Sequence, residues 1–76
     1  MTDYLWRDNM SHRGYGKALK RVRERKGTSQ LTLAKKSGVA QGYISDLEAG
    51  RKKNPGVATL QRLAKALGVP VTELLG

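Results

Sequence analysis

A compact bundle of five short α-helices is the fold this sequence predicts. Three observations lead there. Apolar residues recur at three- and four-residue spacing, glycines interrupt the pattern at short intervals, and no stretch alternates polar with apolar as a half-buried strand would. The chain has 76 residues, enough for one small domain near the lower limit of independent stability. Phe is absent, so Leu, Val, Ala and Ile must supply the core.

The first helix begins at Lys17. Ala18, Leu19 and Val22 share one face, while Lys17, Lys20, Arg21, Glu24 and Arg25 lie largely outside it. Gly27 stands where a C-cap glycine belongs. Thr28 and Ser29 offer an N-cap for a second helix starting at Gln30, whose inner face is Leu33 and Ala34. Gly38 stops it and Val39 plugs the turn. A third helix covers residues 41–49, with Gly50 as its stop. Pro55 and Gly56 open a fourth, in which Val57, Leu60, Leu63, Ala64 and Leu67 repeat at helical spacing until Gly68. Val69 and Pro70 turn the chain into a last short helix over residues 71–75. Residues 1–15 carry Tyr4, Leu5, Trp6 and Met10 without a sustained period. They read as an arm, mobile or loosely docked, ended by Gly14 and Gly16 before a domain over 16–76.

Composition narrows the function. Fifteen Lys and Arg against six Asp and Glu give a net charge of +9, with a pI of about 10.4, which favours a polyanionic partner. There is no cysteine and one histidine, His12, which excludes disulfides and argues against a structural zinc. No cofactor is expected. No Ser/His/Asp set and no phosphate-cradling glycine loop is visible, so no catalytic residue is assigned and the chain is not read as an enzyme. No apolar run approaches the roughly 20 residues of a membrane span, and the N-terminus lacks the apolar core of a signal peptide. A cytoplasmic protein is expected, nucleoid-associated if the polyanionic partner is DNA.

The third helix carries the chemistry. At ~100° per residue, Ile44 and Leu47 fall together with Glu48 close by, and this is the inward side. The other side holds Gly42, Ser45, Asp46 and Ala49, with Gln41 at the helix start. Small and short polar residues make a slim face of the kind that enters a DNA major groove. An ordinary solvated face is more often Lys and Glu. Gln41 can bond bidentately to adenine, and Asp46 can accept from cytosine N4 or repel phosphates at poor sites. Ser45 can bond a base or a phosphate, and Gly42 allows only close approach. Tyr43 lies on the flank, where it can pack its ring and point its hydroxyl at a phosphate.

Arg51, Lys52 and Lys53 follow directly, in a loop that suits backbone phosphates rather than bases. Gln30 and Asn54 stand where they can bond phosphates, with the N-termini of the second and fourth helices assisting. Lys17, Lys35 and Lys36 add to the field if they lie on the same side. Glu48 on the inward side needs a partner, because an unpaired buried charge is costly. Arg23, in the last turns of the first helix, is the expected one, since its planar fork matches a carboxylate. Lys52, four residues on, is the alternative.

Three linked segments, LKRVRERKGTSQ, LAKKSGVAQGYISDLEAGRKKNP and TLQRLAKALGVPVTELL, resemble the Cro/cI-type helix-turn-helix family, the lambda-repressor-like domains. The resemblance covers about residues 16–75. It implies a five-helix lambda-repressor-like bundle that binds palindromic operators as a dimer. It places the family's phosphate-contacting glutamine on Gln30, its base-reading positions on Gln41, Gly42 and Asp46, its structural arginine–glutamate pair on Arg23 and Glu48, and its basic loop on residues 51–53. The chain departs from the family pattern at four places. Thr28 replaces an apolar residue, Leu31 and Thr32 replace an acidic pair, Gly42 is bare where a reader is common, and Pro70 replaces a serine cap.

The leading reading is a bacterial or phage transcriptional regulator, a repressor for example, that binds double-stranded DNA sequence-specifically as a homodimer. Dimerisation is expected through apolar residues around Val71, Leu74 and Leu75 or through the arm, with a regulatory protein as a possible further partner. The alternative is a protein-interaction module, such as an antitoxin or an adaptor on the same fold. The basic surface argues mildly against it.

Overall fold

The computed structural model describes the backbone from Thr2 to Leu75 and the side chains from Gly14 to Leu75. The chain forms α1 (Thr2–Arg25), α2 (Gln30–Ser37), α3 (Gln41–Glu48) and α4 (Val57–Leu67), then a 3-10 turn over Val71–Leu74. No strand occurs among the described residues. No described helix is long and apolar enough to cross a membrane. The arm's Tyr4, Leu5, Trp6, Met10 and His12 lie outside the residues whose side chains are described.

One core serves all the elements. Leu19 and Val22 of α1 meet Leu33 of α2, Ile44 and Leu47 of α3, and Leu60, Leu63, Ala64 and Leu67 of α4, with Leu74 closing the end; Ala18 of α1 is buried as well. Leu33 is the one buried residue of α2, and Ala34 packs against the core beside it. Helices of eight residues are not stable alone in water, and α2 and α3 owe their existence to this packing.

The turn between α2 and α3 is tight. Gly38 takes φ 76° and its N–H closes on Ala34 O at 2.9 Å. Val39 then packs against the core, and α3 starts at Gln41. This turn fixes the angle at which α3 is presented. On the other side, α1 packs on α3 and on the 3-10 turn.

Four expectations need correction. First, the chain has four α-helices and a 3-10 turn, not five helices. Pro70 caps the last element and only four residues follow before Leu75, so it closes with i→i+3 bonds, Glu73 N–H to Pro70 O at 3.0 Å and Leu75 N–H to Thr72 O at 3.2 Å. Second, Leu74 is fully buried and belongs to the core rather than to an exposed dimer surface. Third, Val57 is 70% exposed, because it sits at the first position of α4, before that helix reaches the core.

The fourth correction concerns the first helix, expected to start at Lys17 after Gly14 and Gly16: α1 starts at Thr2 and both glycines lie inside it. Gly16 is buried, and a Cβ there would collide with the Leu47 carbonyl oxygen. A glycine that signals a helix stop by propensity is here the point where the backbones of α1 and α3 touch. Tyr15 packs against the core beside it.

Candidate nucleic-acid interface

The residues of α3 divide by burial. Ile44 and Leu47 are fully buried, whereas Gln41, Gly42 and Ala49 are exposed, and Ser45 and Asp46 are half-buried. Tyr43 is half-buried and packs against the core. The outward face is therefore short and polar, as a groove-entering face must be. The N-cap residue of α3 is Ala40, which makes no side-chain cap bond, and no acid stands in the first turn. The first N–H groups of α3 are left without a side-chain acceptor, next to Gln41. The N-terminus of α4 is similar, with Gly56 as its N-cap and no side-chain cap bond. At α2, by contrast, Ser29 accepts from Thr32 N–H at 3.0 Å.

The loop after α3 folds back on the helix. Gly50 adopts φ 86°, a left-handed conformation that brings the next two amides round to the helix end. Arg51 N–H and Lys52 N–H both donate to Asp46 O, at 2.8 and 3.2 Å. The side chains follow the same course. Arg51 Nε donates to Asp46 Oδ1 at 2.8 Å, and Lys52 Nζ sits 5.4 Å from the centre of the Tyr43 ring. So Lys52 reaches Tyr43 rather than Glu48. Lys53 and Asn54 are exposed further along the loop.

Behind this face lies a buried network. Arg23 Nε and Nη2 donate to Glu48 Oε2 and Oε1 at 2.7 and 2.8 Å, a bidentate fork joining α1 to α3. The two side chains are 11% and 4% exposed. Arg23 Nη1 also donates to Thr28 O at 2.8 Å, which ties the α1–α2 turn to the same centre. The hydrogen bonds to Glu48 outweigh burial and raise the Arg23 pKa above its ordinary value, so the guanidinium stays charged. Gln30 Nε2 donates to Glu48 Oε1 at 3.0 Å. One carboxylate thus holds α1, α2 and α3 together.

Sequence reasoning misses two of these contacts. It gives Gln30 a phosphate to bind and nothing else, yet the amide is also held by Glu48. It gives Asp46 to bases and Arg51 to phosphates separately, yet the two are paired. The five-residue spacing across Gly50 is the signal that reveals the second pair, since a Gly-closed helix end returns the chain toward its last turn.

The basic surface extends beyond the loop. Lys36, Arg62 and Lys65 line an open cleft of about 420 Å³ between α2 and α4, with Ser37 and Ala66. Among the described acids, Asp46, Glu48 and Glu73 are each paired with an arginine, so each cancels the charge of its own partner and the lysines carry most of the remaining cationic field. The described residues hold no group of His, Asp or Glu that fits a metal ion.

Two short helices at a fixed angle through a glycine turn, with the second presenting a slim polar face, define a helix-turn-helix domain. The model of the helix-turn-helix family matches residues 19–74, and the chain belongs to that family, in its Cro/cI-type form. The chain is 47% identical over 60 residues to an uncharacterised HTH-type transcriptional regulator, y4dJ, of Sinorhizobium fredii, covering 79% of this chain and 77% of that one. It is 34% identical over 61 residues to the immunity repressor protein of Bacillus phage phi105, covering 80% of this chain and 42% of the repressor. Among solved structures, that of SinR, a master regulator for biofilm formation, in complex with DNA aligns with a TM-score of 0.78. Its identity is 37%, over 82% of this chain and 98% of that one. The chain thus spans most of the first relative and less than half of the phage repressor.

Proposed function

We propose that this chain binds double-stranded DNA sequence-specifically as a transcriptional regulator, with α3 in the major groove and two copies on a palindromic operator. The observation that carries the reading is the division of α3. Its inner side is locked into the core by Ile44, Leu47 and Glu48, and its outer side is short, polar and bordered by the cations of residues 51–53. A rigid helix presents Gln41, Gly42, Ser45 and Asp46 to base edges. Arg51, Lys52, Lys53, Asn54, Tyr43 and Gln30 hold the phosphates on either side, helped by the uncapped N-termini of α3 and α4. SinR, the similar protein seen with DNA, supports the same use of the fold.

Dimerisation rests on Leu75, 51% exposed, beside the half-buried Val71 at the end of the chain described. Two-fold symmetry then sets the half-sites about 34 Å apart.

Selection of bound duplexes from a random library at physiological salt tests the reading. A palindrome with half-sites one helical turn apart is expected. Affinity should fall with log salt at a slope of roughly −0.9 per phosphate contact. Recovery of no enriched sequence, with a shallow salt slope, rejects it.

A further inference from the structure

Asp46 places a carboxylate on the outward face of α3, where it would enter a groove walled by phosphates. An uncompensated negative charge is repelled there. Asp46 is 40% exposed and Arg51 66%, so neither is buried by the fold itself. Yet they are joined twice, side chain to side chain at 2.8 Å and backbone N–H to carbonyl at 2.8 Å. The second bond holds Arg51 at the end of α3 whatever its side chain does. The side-chain bond uses one guanidinium N–H, from Nε, and one carboxylate oxygen, Oδ1. Oδ2 is left as an acceptor for a base, and four further N–H groups of the fork are left for a phosphate.

We infer that Arg51 is a positioning residue for sequence readout: it neutralises and orients Asp46 as the acceptor for a cytosine N4 amino group, and bridges that base contact to the DNA backbone. This rests on the DNA-binding reading above. A glutamate or aspartate accepts from cytosine N4 in the major groove, so the base class follows from the side chain. The geometry makes the acceptor conditional on the arginine. Without Arg51, Asp46 is a lone anion among phosphates and turns to solvent.

The test compares sequences selected from a random duplex library by the wild-type chain, Asp46→Asn and Arg51→Met. Salt titrations on one selected duplex and its single-base variants accompany the selection, with helicity measured for each protein. The wild type is expected to prefer cytosine about tenfold at one position of each half-site. Asp46→Asn should lose that preference, with adenine gaining at the same position, since an asparagine pairs with adenine. Arg51→Met should reduce the cytosine preference below about threefold while the other positions keep theirs. Its salt slope should become shallower by roughly 0.9, for the phosphate it no longer holds.

If Arg51→Met weakens binding to all duplexes alike and leaves the cytosine preference intact, Arg51 is a phosphate clamp alone and the inference is overturned. Loss of a guanine preference at a position that Asp46→Asn leaves untouched makes Arg51 a base reader itself and also overturns it. A wild type that selects a palindrome without cytosine at any position affected by Asp46→Asn refutes the inference while keeping the DNA-binding reading. A wild type that enriches nothing refutes both.

Discussion

Two arginine–carboxylate pairs end on α3, two residues apart, and they do different things. Glu48 receives Arg23 in a bidentate fork, across 25 residues of chain, with both side chains almost wholly covered. Asp46 receives Arg51 through one nitrogen, across five residues, with both side chains substantially in water. Positions two apart on a helix differ by about 200°, so one carboxylate faces the protein and the other faces away. The same chemistry is structural where water is excluded and available for a partner where it is not.

Breaking the inner pair should have the largest effect. Arg23→Met leaves Glu48 buried without its main partner and releases Thr28 O. The expected loss is about 3–5 kcal/mol in urea unfolding, a large share of the stability of a domain this small. Replacing both partners, Arg23→Met with Glu48→Leu, should recover a good part of it, because the desolvation cost of the ions disappears as well. A double variant as unstable as the single one would show that the fork itself, and not the orphaned charge, carries the stability.

A second contrast lies in two glycines on either side of α3. Gly16→Ala drives a methyl group into the Leu47 carbonyl, and backbone cannot step aside as a flexible side chain would. About 1–3 kcal/mol should be lost in thermal unfolding, despite alanine's better helix propensity. Gly42, on the outer side, has open space around its missing Cβ. Gly42→Ala should therefore stabilise the free protein by roughly 0.5–1 kcal/mol, since nothing opposes the gain in helix propensity. Equal signs for the two substitutions would contradict the assignment of inner and outer faces.

The sequence makes the two-sidedness of α3 legible and hides most of what ties it down. Ile44 and Leu47 declare themselves by spacing, and Glu48 beside them demands a cation, which Arg23 supplies. The boundaries of α2, α3 and α4 follow from Gly38, Gly50 and Gly68, whose φ angles are all positive. Gly16 misleads, because its role comes from the approach of another helix and has no local sign. The last element misleads for a different reason: Val71 to Leu75 has helical spacing, but one turn after a proline closes as 3-10. The direction in which a side chain points is likewise set by packing, so Gln30 reaching Glu48 and Arg51 reaching Asp46 lie beyond periodicity.

Gln30 lies between the two pairs, since it touches Glu48 and stands at the first position of α2. Gln30→Ala removes one hydrogen bond to a carboxylate that Arg23 still satisfies. A decrease of about 1 kcal/mol in stability is expected. Because the same amide is proposed to hold a phosphate, affinity should fall for every duplex in similar proportion. Unchanged stability would mean that the bond to Glu48 is exchanged freely for water, and the amide then serves the DNA alone.

The outer pair should cost least to break. Asp46→Asn removes an ion pair that is largely in water, and exposed pairs contribute little to stability, here an expected change within about 0.5 kcal/mol. The backbone bonds from Arg51 and Lys52 to Asp46 O are untouched by the substitution, so the loop keeps its fold. The electrostatic consequence is of opposite kind. Net charge rises from +9 to +10 as one carboxylate is lost (+9 + 1), and Arg51 gives up its anionic partner. Affinity for unrelated duplexes should then increase, most clearly at low salt, where phosphate attraction is least screened. Affinity for the selected site should not rise with it, and the ratio of the two should shrink. Titration of both duplexes over a range of salt separates these effects. An equal increase on both would leave Asp46 as a brake on phosphate attraction with no part in choosing the base.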